Sequence, residues 1–67
     1  MPFGMEITLR RYGATSPYYR DVHVLVESRR HDEHLFTLII DGEEVFTVTE
    51  EEFDRFVELL QRARQEL

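Results

Sequence analysis

Two groups of residues carry side chains suited to chemistry. His31-Asp32-Glu33-His34 sets two imidazoles three residues apart around two carboxylates, types that hold divalent cations. No other stretch fixes a further ligand, and the chain has no cysteine, which excludes thiolate sites. A short polar run between apolar segments reads as a solvated turn, so no metal or other cofactor is expected. The second group is Arg10, Tyr12, Tyr18, Tyr19, Arg20, Arg29 and Arg30, with Arg11 beside them. Guanidinium groups with exposed aromatic rings suit phosphate neutralisation and base stacking on single-stranded nucleic acid. The same types are enriched at protein interfaces. They form the candidate partner or nucleic-acid surface.

Catalytic patterns are missing. The three glycines form no phosphate loop. Ser16 and Ser28 lack the surroundings that make a serine nucleophilic. Glu43-Glu44 and Glu50-Glu51-Glu52 are accounted for by turn and helix-start preferences. The expectation is a protein that is not an enzyme.

The elements that position these residues follow from apolar periodicity. Residues 5–12 and 21–30 alternate: Met5, Ile7 and Leu9 share one face, and Val22, Val24 and Val26 share another. Gly13 to Pro17 interrupts them as a loop. Residues 34–41 are apolar on both faces, as in a central or doubly covered strand. Asp41-Gly42 then signals a hairpin into residues 44–48. A two-residue loop would put Phe36, Leu38 and Ile40 on the face of Val45. A three-residue loop with a bulge would match them with Phe46 and Val48, and the apolar pattern favours the latter.

Thr49-Glu50-Glu51-Glu52 has the form of a reciprocal capping box opening a helix over residues 50–66, with Val48 and Phe53 at the staple positions. Phe53, Phe56, Val57, Leu60, Ala63 and Leu67 make one stripe, with Leu59 on its rim. The expected fold is a single α+β domain, a four-stranded antiparallel sheet in β-β-β-β-α order with the helix packed on one face. A helix is about 10 Å across, and four strands at about 4.8 Å spacing make a wider sheet. The face away from the helix holds Leu35, Ile39 and Val45, and on the second strand either Leu25 or the valine row; Leu25, Leu35, Ile39 and Val45 are taken as the candidate self-association face.

A chain of 67 residues without disulfides buries only about 60% of its unfolded surface, so self-association is the expected supplement. Its net charge of −6 lies entirely after residue 40, where three arginines face nine acids. All eight basic residues are arginine. No run approaches the roughly 18 apolar residues of a membrane span, and the first residues have no basic-then-apolar pattern. A cytoplasmic location is expected. The element order resembles the single-stranded-DNA-binding fold of dimeric transcriptional positive cofactors, most closely over Val45 to Leu60 (VFTVTEEEFDRFVELL). The absence of lysine and tryptophan and the acidic balance depart from that pattern, and no binding residue carries over. Two functions are thus expected. The first is a non-catalytic homodimeric interaction module, an adaptor or inhibitor with an acidic helix side. The alternative is single-stranded nucleic-acid binding.

Overall fold

The turn at Asp41-Gly42 sets the register of the sheet. A computed structural model describes residues 3–13, 21–30 and 34–67. Strands β1 (Phe3–Leu9), β2 (Val22–Arg30), β3 (His34–Ile40) and β4 (Glu43–Thr49) form one antiparallel sheet in the order β1-β2-β3-β4, and α1 (Glu50–Glu66) follows. The first strand begins and ends a little earlier than its alternation predicts, so Arg10 to Tyr12 lie beyond it.

At the β3–β4 turn, Asp41 has φ 51° and Gly42 has φ 83°. Positive φ at both central positions is the type I′ condition, which Asp-Gly meets at low steric cost. The Asp41 N–H donates to the His23 carbonyl at 2.8 Å, and the His23 N–H donates to the Asp41 carboxylate at 2.9 Å. The turn residue thereby ties the hairpin tip to β2.

The expected three-residue loop is corrected. Ile40 faces Glu43 across a two-residue loop, and the register shifts further along, between Leu38 and Ile39. Leu38 then faces Phe46, and Phe36 faces Val48, with Val45 as the extra residue. The bulge brings the large apolar side chains onto one face, as the apolar pattern required. It lies in the strand because the Asp-Gly turn needs no third residue.

The helix begins where β4 ends. Thr49 caps it in extended conformation (φ −69°, ψ 164°), and its hydroxyl accepts the Glu52 N–H at 3.4 Å. The reciprocal half of the expected capping box is absent. Instead the Glu52 carboxylate accepts from the Arg55 guanidinium at 3.3–3.4 Å, within the same helix. Because no loop residue separates β4 from α1, the helix stays near the strand it leaves. It packs on β4 and β3.

That contact is aromatic. Phe53 stacks on Phe36 with centroids 4.6 Å apart and planes 7° from parallel. Phe56 meets Phe46 edge-on at 5.3 Å, and Phe53 and Phe56 touch at 6.4 Å. Both offset and edge arrangements suit the ring quadrupole. Beneath them Leu38, 7% exposed, is the one buried apolar residue among the described residues. Thr37, on the other face, is buried too, and its hydroxyl bonds Thr47, which in turn donates to Glu44. Leu60 belongs to the apolar stripe yet remains exposed, because it lines a groove over β2 that no other described element fills.

Candidate interaction surfaces

Pairing register places each candidate residue. Arg10 and Tyr12 follow β1 at the end where Leu9 faces Val22, and both are exposed, Tyr12 completely. Arg29 and Arg30 lie at the opposite end of β2, facing Leu35 and His34. Seven residues separate Val22 from Arg29, which is roughly 23 Å of strand. The described members of this group thus occupy two ends of the sheet. Tyr18, Tyr19 and Arg20 lie outside the described residues.

Of the histidine-carboxylate run, His31, Asp32 and Glu33 also lie outside the described residues. His34 stands 3.8 Å from Glu50 on an exposed surface. No group of three His, Asp or Glu side chains gathers among the described residues. His23 contacts Glu6 across β1 and β2, with Nε2 and Oε2 2.8 Å apart.

Leu25, Leu35 and Ile39 lie on the face away from the helix, since Leu25 pairs with Ile39 and alternation carries Leu35 to the same side, while Val45 is the unpaired residue at the bulge. The first three are half-buried by neighbours and Val45 is exposed. Leu25 leans over Gly4, where an added Cβ would sit 3.4 Å from its Cδ1. Glu6, His23, Glu27 and Glu44 stand on the same face. It is a mixed surface with an acidic excess.

A more exposed apolar surface lies on the helix side. Met5, Ile7 and Leu9 on β1 are 76%, 57% and 48% exposed. They face Val26, Val24 and Val22, in line with Leu38 and Ile40 on β3. An apolar groove of about 240 Å³ runs between this strip and the helix, with Val24, Val26 and Ile40 on its floor and Val57 and Leu60 as its wall. The sequence set Met5, Ile7 and Leu9 on one face of a half-buried strand. Alternation identifies such a face but says nothing about what covers it.

No protein-family model, curated protein or solved structure matches the chain. Any functional reading therefore rests on the surfaces themselves. No helix among the described residues is long and apolar enough to cross a membrane.

Proposed function

We propose that this chain is a small non-catalytic protein-interaction module that works as a homodimer, an adaptor or inhibitor whose acidic helix side meets a basic partner. The observation that carries it is the uncovered strip of Met5, Ile7 and Leu9 beside a helix that covers only β3 and β4. Exposure supports it: Met5, Ile7 and Leu9 are 76%, 57% and 48% exposed, while Leu38 is the one buried apolar residue among the described residues. The outer side of α1, with Glu51, Asp54 and Glu58, supplies the acidic surface. A cytoplasmic setting belongs to the same reading, motivated by the lack of cysteine.

Sedimentation equilibrium should return twice the chain mass of 8.1 kDa at micromolar concentration. A chain that stays monomeric up to millimolar concentration removes the homodimer. The nucleic-acid alternative rests, among the described residues, on Arg10 and the fully exposed Tyr12. Titration with a fluorescent single-stranded oligonucleotide at low salt should show no saturable binding, because the acidic charge repels phosphate. Binding that weakens steeply with salt and is lost in Tyr12→Ala would transfer the function to that surface.

A further inference from the structure

Among the described strands β1 and β4 form the two edges of the sheet, and they differ. At the β4 edge a bulge interrupts the strand, two glutamates open it, and the chain leaves it directly into α1. Bulges and charged residues are the usual means of blocking edge-to-edge pairing. Strand β1 has a hydrogen-bonded neighbour on one side only among the described strands. Its seven residues, FGMEITL, contain no proline, no lysine and a single charge, and they pair with β2 without a bulge. Such an edge invites another strand.

We infer that the chain self-associates through β1, paired antiparallel with β1 of a second copy about Ile7, so that two four-stranded sheets become one of eight strands. The inference rests on the homodimeric reading above and names its interface. The register follows from the residues. Centring on Ile7 sets Met5 opposite Leu9 of the second copy, Ile7 opposite Ile7, and Leu9 opposite Met5. Cross-strand pairs of this kind stand about 4.5–5.5 Å apart at Cβ, so three apolar pairs form on the face where these side chains are exposed. On the other face Glu6 meets Thr8, and Arg10 meets Gly4, diagonal to Glu6. Centring on Glu6 would instead set two glutamates against each other, an unfavourable cross-strand pair. Centring on Thr8 would set Met5 against Arg11.

The two face-to-face arrangements are poorer. A copy turned over onto the helix side would press the outer surface of α1, with Glu51, Asp54, Arg55, Glu58 and Arg62, against Met5, Ile7 and Leu9. Burying charges against apolar side chains without partners is costly. A back-to-back dimer would bring together two surfaces that each carry Glu6, Glu27 and Glu44. Edge pairing about Ile7 buries no charge and gives the outward amides and carbonyls of β1 strand partners that no other described strand supplies.

The cysteine-free sequence makes the register directly testable. Cα atoms of directly opposed residues lie about 4.5–5.5 Å apart, within the roughly 4.4–6.8 Å that a disulfide spans. Ile7→Cys should therefore give a covalent dimer under mild oxidation. Thr8→Cys and the control Val45→Cys, at the bulge in β4, should not. Ile7→Lys changes a side chain already 57% exposed in the single chain, so its far-UV circular dichroism should match the parent. Its dimer dissociation constant should rise at least about tenfold, because a lysine on the pairing face opposes association. Cross-linking of Thr8→Cys in place of Ile7→Cys overturns the register. A parent dimer in which Val45→Cys links and Ile7→Lys changes nothing overturns the edge and keeps the homodimer. A parent chain that is monomeric throughout overturns both.

Discussion

Leu38→Ala is expected to remove most of the stability of the domain. Leu38 sits at the middle of β3, between Val26 on β2 and Phe46 on β4, and it is 7% exposed. Truncating a buried leucine to alanine costs about 2–5 kcal/mol, from lost transfer energy plus the cavity left behind. A domain of this length has a net stability of only about 3–10 kcal/mol. Elsewhere a cavity is shared among many buried neighbours that can relax into it. Here no other apolar residue among the described residues is buried, so no second buried apolar side chain shares the core with Leu38. Urea denaturation followed by circular dichroism should show a midpoint lowered by half or more, or no cooperative transition. Leu35→Ala, near the start of β3 and only half-buried, should cost clearly less. Equal losses in the two variants would mean that the centre of the fold is not under Leu38.

The same geometry explains what the sequence did and did not disclose. Local chemistry was legible because it is decided within a few residues. Thr49 caps the helix, Asp41-Gly42 turns the chain, and alternation in β1 and β2 sorts their side chains correctly between faces. The bulge was legible only in its consequence. Val45 and Phe46 are adjacent and both apolar, so alternation does not say which is the extra residue, and the bulge was assigned to the loop. Leu60 and Ile7 show a different limit. Both lie on correctly identified apolar faces, and both are exposed. Their exposure depends on where the helix rests laterally, and that follows from the direct junction between Thr49 and Glu50. The arginine and tyrosine residues show a third. Arg10 and Arg29 belong to one group by residue type, but antiparallel pairing sends them to opposite ends of β1 and β2. Residue type suggests a surface, whereas register decides whether its members meet.

Phe53→Ala should release the helix from the sheet at a cost of about 2–3 kcal/mol, below the roughly 3–5 kcal/mol of a fully buried phenylalanine because the ring is only half-buried. Phe53 stacks on Phe36 and touches Phe56, so it links β3 to the first turns of α1. Thr49→Ala would remove only the 3.4 Å cap bond and leave that stack in place, and a cap is worth about 1 kcal/mol. Glu58→Ala, on the exposed outer side of the helix, should stay within about 0.5 kcal/mol of the parent. A double-mutant cycle between Phe36→Ala and Phe53→Ala should return a coupling of about 0.5–1.5 kcal/mol, the range for aromatic pairs beyond their buried area. No coupling would mean that the rings are neighbours without holding the layers together. The expected loss is large for a half-buried side chain because α1 rests on β3 and β4 alone. With Phe53 gone, Phe56 against Phe46 is the one remaining ring contact between helix and sheet among the described residues.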